Sequence, residues 1–163
     1  MEKLKVSRNK IVKGDQLARM LAQWRFRDEK IVFTNGCFDV LHPGHIEYLS
    51  KARDLGSKLV IGLNTDDSVK RLKGNNRPII TEDYRALMLA SLHFVDAVVL
   101  FDQDTPLELI EVVQPDVLIK GADYKPEDIV GFEVVTAKGG VVETINLVDG
   151  FSTTSLIKKL KEE

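Results

Sequence analysis

The chain has 163 residues, 44% of them apolar and 29% charged, which is typical of one soluble domain with a substantial core. Its 23 Lys and Arg residues nearly balance 25 Asp and Glu residues, and neither half carries a long run of one sign, which argues against nucleic acid and membrane surfaces as partners. Cys37 is alone, so a disulfide framework is excluded, and with no secretory signal and no apolar run of about 18 residues we expect a cytoplasmic protein.

Apolar, β-branched runs alternate with amphipathic stretches along the chain. The runs are nearly continuous, as in parallel strands that are covered on both faces. The predicted strands are 31–33, 59–63, 97–101, 117–119 and 141–147, and the predicted helices after the first strand are 43–55, 65–72, 82–93, 106–113 and 127–138. This order predicts an α/β fold: a Rossmann-like, doubly wound parallel sheet of about five strands with helices on both faces.

An additional helix is predicted ahead of the first strand, at about 15–27. Leu17, Met20, Leu21 and Trp24 share one side of it and are expected to pack across the sheet or against a partner. We therefore divide the chain into an N-terminal extension and helix at 1–28 and a domain at 29–163 that carries the predicted sheet, within one domain overall. The apolar area around Trp24 also suggests a homo-oligomer.

The segment Thr34-Asn35-Gly36-Cys37-Phe38-Asp39-Val40-Leu41-His42-Pro43-Gly44-His45 is the most informative one in the chain. It joins the first strand to a helix. Spacing of three residues places His42 and His45 on one helix face, Pro43 suits a first helical turn, and Gly44 allows an anion to approach the backbone. The segment predicts an anion-binding site over a helix N-terminus.

A second helix N-terminus is predicted where Gly150, Phe151, Ser152, Thr153 and Thr154 follow the last strand. Two such termini could hold a polyphosphate from both sides, which suits a nucleoside triphosphate. Taken alone, the hydroxyl residues could simply cap a helix. No G-x-x-x-x-G-K-[ST] and no G-x-G-x-x-G occurs in the chain, so neither a P-loop nor a dinucleotide fingerprint is present.

Two lysines are candidates for the same site. Lys73 belongs to a basic run, 70–77, that is either a solvated helix end or a lid whose Lys73 closes over departing phosphates. Lys120 directly follows an apolar strand and is expected in the site with Gly121. Cys37 is expected to pack rather than to act as a nucleophile, and a zinc site at the two histidines lacks further ligands at matching spacing.

Two separated signatures resemble the paired H-x-G-H and Ser/Thr-rich motifs of the nucleotidylyltransferase superfamily. They are His42-Pro43-Gly44-His45 and Phe151-Ser152-Thr153-Thr154-Ser155-Leu156-Ile157-Lys158. Further segments are similar to the adenylyltransferase half of the bacterial bifunctional heptose kinase/adenylyltransferase family, between about Ile11 and Leu160; they are 33–39, 71–74, 104–106 and 120–128. The sugar-kinase half has no counterpart in this sequence, so a separate sugar kinase is expected to supply the substrate.

The resemblance implies that the chain transfers AMP from ATP to D-glycero-D-manno-heptose 1-phosphate, giving ADP-heptose and pyrophosphate. It implies His42, His45 and Lys73 as catalytic groups and a nucleotide site built from Thr34, Asn35, Gly36, Cys37, Phe38, Gly44, Lys120, Gly121 and 150–154. It also favours Asp39, Asp66 and Asp123 near the sugar phosphate or ribose. Arg85 either reaches the sugar phosphate or forms a surface ion pair with Glu82 or Asp83.

The expected chemistry needs no protein nucleophile, because a phosphate monoester with a second pKa near 6 is already an anion. Catalysis then consists of positioning and charge stabilisation, and Mg²⁺ is expected to bind mainly through the phosphates rather than in a protein cage. A cytidylyltransferase acting on glycerol 3-phosphate or a similar small phosphorylated alcohol stays open. So does a nucleotide-sensing module that binds without turnover.

Overall fold

Five parallel strands form the central sheet of the structure, a computed structural model that describes residues 3–122 and 125–146. The strands are β1 (Ile31–Gly36), β2 (Lys58–Asn64), β3 (Ala97–Phe101), β4 (Val117–Gly121) and β5 (Val141–Ile145). Their order across the sheet is β3-β2-β1-β4-β5, so the order reverses between β1 and β4. The doubly wound parallel sheet predicted from the sequence is confirmed, and ligands in such sheets bind beyond the carboxyl ends of the strands at the reversal.

Seven helices connect or precede the strands in the described residues. They are α1 (Lys3–Arg8), α2 (Gly14–Phe26), α3 (Pro43–Asp54), α4 (Asp66–Lys73), α5 (Glu82–Ser91), α6 (Leu107–Val113) and α7 (Phe132–Thr136). None of the described helices is long and apolar enough to cross a membrane.

The helix predicted at 127–138 is wrong in extent. A 3₁₀ turn, Pro126–Asp128, stands where it was to begin, and α7 covers only its second half. Gly131 separates the two because its φ is +94°, in the left-handed region that interrupts a helix. A Cβ there would lie 2.7 Å from Cδ1 of Ile110, so glycine is also the residue that lets this turn approach α6.

The core has two layers, one on each face of the sheet. Alternate residues of a strand point to opposite faces. Thus Val32, Leu59 and Ile61 pack with α3 and α5, and Ile31, Phe33 and Val60 pack with α2, α6 and α7. Leu17, Leu21 and Trp24 of α2 are buried in the second layer, so the predicted apolar side of that helix lies against the sheet.

The segment between α1 and α2 protects one edge of the sheet. The N–H of Val12 donates to the carbonyl of Val98 at 3.0 Å, and the N–H of Val98 donates to the carbonyl of Lys10 at 2.8 Å. These bonds occupy backbone groups of β3 that an edge strand otherwise exposes to a second chain. The N-terminal residues are thereby integrated into the same core as the sheet.

Candidate active site

A cavity of about 310 Å³ opens at the carboxyl edge of the sheet, beside the reversal of strand order. Four strands or the loops after them contribute to its lining: Asn35 and Gly36 of β1 with Cys37 directly after it, Asn64 of β2, Asp104, Thr105 and Pro106 after β3, and Lys120 of β4. The other lining residues are Leu72, Phe101, Asp128, Ile129 and Val130. Several strand ends therefore converge on one space, as the sequence predicted.

A loop of six residues, 37–42, joins β1 to α3; its first residue, Cys37, lines this cavity, and its last, His42, caps the helix. His42 has extended backbone angles, φ −137° and ψ 166°, and therefore precedes the helix, whereas Pro43 occupies the first helical position. The N–H of His45 donates to Nδ1 of His42 at 3.4 Å. An accepting Nδ1 carries no proton, so a neutral His42 holds its proton on Nε2. The expectation that both histidines lie on the helix is corrected: His42 is its N-cap and only His45 belongs to its first turn.

The two imidazole rings nevertheless lie together. They stack with centroids 3.7 Å apart and an interplanar angle of 21°. Phe38 contacts the His45 ring edge-on at 5.1 Å between centroids. Aromatic contacts on its two sides fix the position of the His45 ring at the first turn of α3, which is the arrangement that a preorganised phosphate donor requires.

His45 is held in its neutral form. Burial is the main cause that lowers its pKa from 6.5 to about 4, and the charges of His42 and Lys73 lower it further. Burial also lowers the pKa of His42. Nδ1 of His45 is buried and has no hydrogen-bond partner among the described residues. Near neutral pH the pair therefore offers neutral N–H donors, and the pKa of His45 can rise when an anion arrives.

Lys73 is the last residue of α4 and is exposed. Its effect on the pKa of His45 means that the ammonium group lies within electrostatic reach of the imidazole. The helix is capped by Thr65, whose Oγ1 accepts from the N–H of Ser68 at 3.2 Å, and it ends at Gly74 with φ +93°. Lys73 therefore acts electrostatically on His45, and its catalytic role stays a prediction.

Asp39 is 1% exposed, and its carboxylate binds groups of the protein itself. Its Oδ1 accepts from the N–H groups of Ile79 at 2.7 Å and Ile80 at 3.1 Å, and its Oδ2 accepts from Nε of Arg77 at 2.5 Å. Burial raises the pKa of the Asp39 carboxyl, but the bonds from Ile80, Arg77 and Ile79 outweigh it and hold the pKa below its ordinary value. Asp39 was expected at the sugar phosphate, and here it clamps the 77–80 loop.

Arg85 lies deeper than either of its expected positions. It is 0% exposed, and its guanidinium donates to the carbonyls of Ile80 at 2.9 Å and Cys37 at 2.6 Å. A third bond, 2.7 Å long, joins it to Oδ1 of Asp66. The surface pair with Glu82 or Asp83 is wrong, and no part of Arg85 is open to a sugar phosphate in this geometry. Because a fully buried guanidinium needs partners, these bonds build the wall behind the site.

The remaining expected residues fall into three groups. Asn35, Gly36, Cys37 and Lys120 line the cavity. Thr34, Gly44 and Phe38 are buried and support the cavity, and the hydroxyls of Thr34 and Tyr48 lie 2.8 Å apart. Gly121 is the last residue of β4. Asp123, Gly150, Phe151, Ser152, Thr153 and Thr154 lie outside the described residues, so the second helix N-terminus stays a prediction.

Four polar lining residues were given no role from the sequence: Asn64, which was expected at this edge, and Asp104, Thr105 and Asp128, which lie in segments that resemble the family. The first ends β2 and the next two follow β3, so their position after a strand was the available signal. Asp128 had no such signal, because the turn that carries it was read as helix. Among residues 3–122 and 125–146, no three His, Cys, Asp or Glu side chains form a group that could hold a metal ion.

Comparisons with known proteins point to one family. A family model described as cytidylyltransferase-like matches residues 33–159. The chain is 57% identical over 156 residues to the bifunctional protein HldE of Citrifermentans bemidjiense and 54% identical over 154 residues to that of Campylobacter jejuni. These alignments cover 96% and 94% of the chain but 32% of each relative, so the chain spans about a third of their length.

Two solved structures are similar. The lipopolysaccharide core biosynthesis protein of Thermoplasma volcanium matches with a TM-score of 0.57 at 27% identity, covering 74% of this chain and 97% of that one. The pantoate-beta-alanine ligase of Francisella tularensis matches with a TM-score of 0.59 at 13% identity, covering 94% and 78%, and supports the fold alone.

Proposed function

This chain belongs to the cytidylyltransferase-like family and is a nucleotidyltransferase, and we propose that it transfers AMP from ATP to D-glycero-D-manno-heptose 1-phosphate. The products would be ADP-heptose and pyrophosphate. The observation that carries the proposal is the stacked, neutral pair of His42 and His45 at the N-terminus of α3, within electrostatic reach of Lys73. Neutral N–H donors beside a helix N-terminus and a lysine suit a group that becomes more negative during reaction.

In the proposed reaction, an oxygen of the sugar phosphate attacks the α-phosphorus of ATP. The new bond joins that oxygen to phosphorus, and the bond from the α-phosphorus to the oxygen that bridges to the β-phosphorus breaks, so pyrophosphate leaves with that oxygen. No proton has to be removed from the nucleophile, because a phosphate monoester is largely dianionic near neutral pH. His42, His45 and Lys73 then donate to the phosphoryl oxygens on which negative charge grows.

Mg²⁺ is proposed to enter with ATP and to offset the charge of its phosphates. In this proposal the ion is bound mainly through phosphate oxygens and water, because Mg²⁺ keeps several of its waters and takes few protein ligands. Lys120 and Gly121 are proposed to contact the nucleotide. Asp123 and the residues Gly150 to Thr154 are proposed to complete the substrate sites, and the first test of that role is substitution of Ser152 and Thr153.

Heptose 1-phosphate is proposed as the acceptor because relatives that are 52% to 57% identical are named bifunctional HldE proteins. The chain covers about a third of those proteins, and the resemblance is to their adenylyltransferase half. In this proposal a sugar kinase carried elsewhere supplies the 1-phosphate in the cytoplasm, and the enzyme self-associates.

A cytidylyltransferase for glycerol 3-phosphate is the second candidate, favoured by the description of the matching family. A matrix of ATP, CTP, GTP and UTP against heptose 1-phosphate, other sugar 1-phosphates and glycerol 3-phosphate decides between the two when pyrophosphate release is measured. We expect release with ATP and heptose 1-phosphate. Release only with CTP and glycerol 3-phosphate would favour the second candidate, and nucleotide binding by calorimetry without any release would favour a sensor.

A further inference from the structure

The cavity at the carboxyl edge of the sheet has a chemistry that differs from that of the histidine site. Asp104 and Asp128 line it with carboxylates, which only accept hydrogen bonds when ionised, and Lys120 lines it with a side chain that only donates them. Asn35 and Thr105 add groups that can do both. This mixed lining suits hydroxyl groups, which donate and accept, better than a polyphosphate, which offers mainly acceptors.

Asn35 gives an independent indication of the same ligand. The residue ends β1 beside the reversal of strand order, and its Oδ1 is buried with no hydrogen-bond partner among the described residues. A buried amide oxygen that lacks a partner costs free energy in the unliganded protein. A carboxamide both accepts and donates, and a half-turn of the amide exchanges its two ends, so it matches a hydroxyl in either orientation.

The size of the cavity restricts its occupant to one small molecule. Its volume of about 310 Å³ lies at the lower end of the range for small-molecule pockets. Leu72, Phe101 and Ile129 provide apolar surface beside the polar groups, as the alternating C–H and O–H groups of a sugar require. The cavity adjoins the catalytic motif along the chain: Cys37 lines it, and the next residue, Phe38, packs against His45.

We propose that this cavity is the acceptor pocket, in which Asn35, Asp104 and Asp128 bind the hydroxyls of a phosphorylated polyol whose phosphate points toward His45. This inference rests on the proposed function for the identity of the reaction. It moves recognition of the sugar away from the buried Asp39 and Arg85, and it reassigns Asn35 from the nucleotide site to the acceptor site. Asp128 is the residue to test first, since Asp104 also accepts a 3.1 Å bond from Nε of Arg71.

Glu127 is a matched control for Asp128, because it is exposed on the same 3₁₀ turn and does not line the cavity. We expect Asp128→Ala to raise KM for the acceptor at least about tenfold, the scale of losing a hydrogen bond to a charged group, and to leave KM for ATP within about twofold. Asn35→Ala is expected to act in the same direction, and Glu127→Ala to change neither constant. Thermal unfolding and ATP affinity of each variant show that it is folded.

The acceptor used is whichever phosphorylated polyol the wild-type enzyme turns over. If that compound is not heptose 1-phosphate, the proposed function fails and the pocket is still tested. An increase in KM for ATP with an unchanged KM for the acceptor would overturn the pocket, and so would turnover of an acceptor that has no free hydroxyl. If nothing is turned over, calorimetry with heptose 1-phosphate replaces kinetics, and equal affinity of the wild type and Asp128→Ala, or no binding, overturns the inference.

Discussion

The two histidines of the motif perform different tasks in the unliganded protein. His42 accepts the N–H of His45 and so caps α3, whereas the half-buried His45 contacts the rings of both His42 and Phe38. Removing His42 therefore disturbs a helix end, at a cost of about 1 kcal/mol for a typical cap. Removing His45 takes away a donor without removing that cap, so His45 is the better probe of catalysis.

We expect His45→Ala to lower kcat at least about 100-fold, because it removes one preorganised donor to the charge that grows on the phosphoryl oxygens. His93→Ala is the control, since His93 is exposed and its ring contacts Phe94 rather than the site. Steady-state pyrophosphate release measures both variants. Near-normal turnover of His45→Ala would contradict the role assigned to this ring.

Acid should destabilise the fold through the same residue. The pKa of His45 is about 4 in the folded protein and 6.5 ordinarily, so between these values the unfolded chain binds a proton that the folded chain does not. Stability is thus complete above about pH 7 and falls as the pH drops from about 6.5 to about 4.

Denaturant unfolding of the wild type and of His45→Gln, at about pH 7 and about pH 4.5, tests this expectation. Glutamine has no proton to gain, so the variant should lose less stability between the two pH values than the wild type does. Equal losses in the two proteins would show that His45 is not the responsible group.

Among the larger elements, the 77–80 loop is joined to the catalytic motif by two buried charges. Asp39 holds the N–H groups of Ile79 and Ile80, and Arg85 bonds the carbonyls of Ile80 and Cys37. Movement of this loop would therefore be transmitted to the residues that line the cavity. The two side chains act as positioning residues in this structure.

Asp39→Asn keeps the shape of the side chain but leaves Arg77 without its charged partner. We expect the free energy of unfolding to fall by about 3 kcal/mol, the scale of breaking a buried ion pair. Asp83→Asn, at an exposed position of α5, should change it by no more than about 0.5 kcal/mol. Urea titrations compare the two, and equally small effects would mean that Asp39 does not anchor the loop.

The end of α4 allows a second matched comparison. Lys73 affects the pKa of His45, whereas Lys70 on the same helix pairs with Asp67 at 2.8 Å on the surface. We expect Lys73→Ala to lower kcat at least about tenfold, through loss of a cation near the departing phosphates, and Lys70→Ala to leave kcat within about twofold. Equal effects of the two substitutions on kcat would show that Lys73 acts only through the overall positive charge of this helix end.

Regular elements were predictable where local signals agreed. The apolar runs gave all five strands, and Pro43, Thr65 and Pro106 marked helix starts to within a residue or two. The prediction failed around Gly131, whose positive φ is required by close packing against Ile110, a contact that no local pattern reveals.

For the whole molecule, the location of the site followed from topology, since a sheet that reverses between β1 and β4 brings their carboxyl ends to one crevice. The partners of the charged residues did not follow. Asp39 and Arg77 are 38 residues apart, and Arg85 and Asp66 are 19 apart. Which acid meets which base across such separations is decided by packing, so residues expected to bind a ligand were found binding each other.

The central claim is that a phosphate oxygen of the sugar attacks the α-phosphorus of ATP, so that AMP is transferred onto that phosphate. The most direct test supplies heptose 1-phosphate with ¹⁸O in its non-bridging phosphate oxygens, together with unlabelled ATP, and analyses both products by mass spectrometry. Direct attack predicts that all of the label is found in ADP-heptose, with one labelled atom bridging the two phosphorus atoms, and that pyrophosphate carries none. Label in pyrophosphate, or no ADP-heptose at all, would contradict the account.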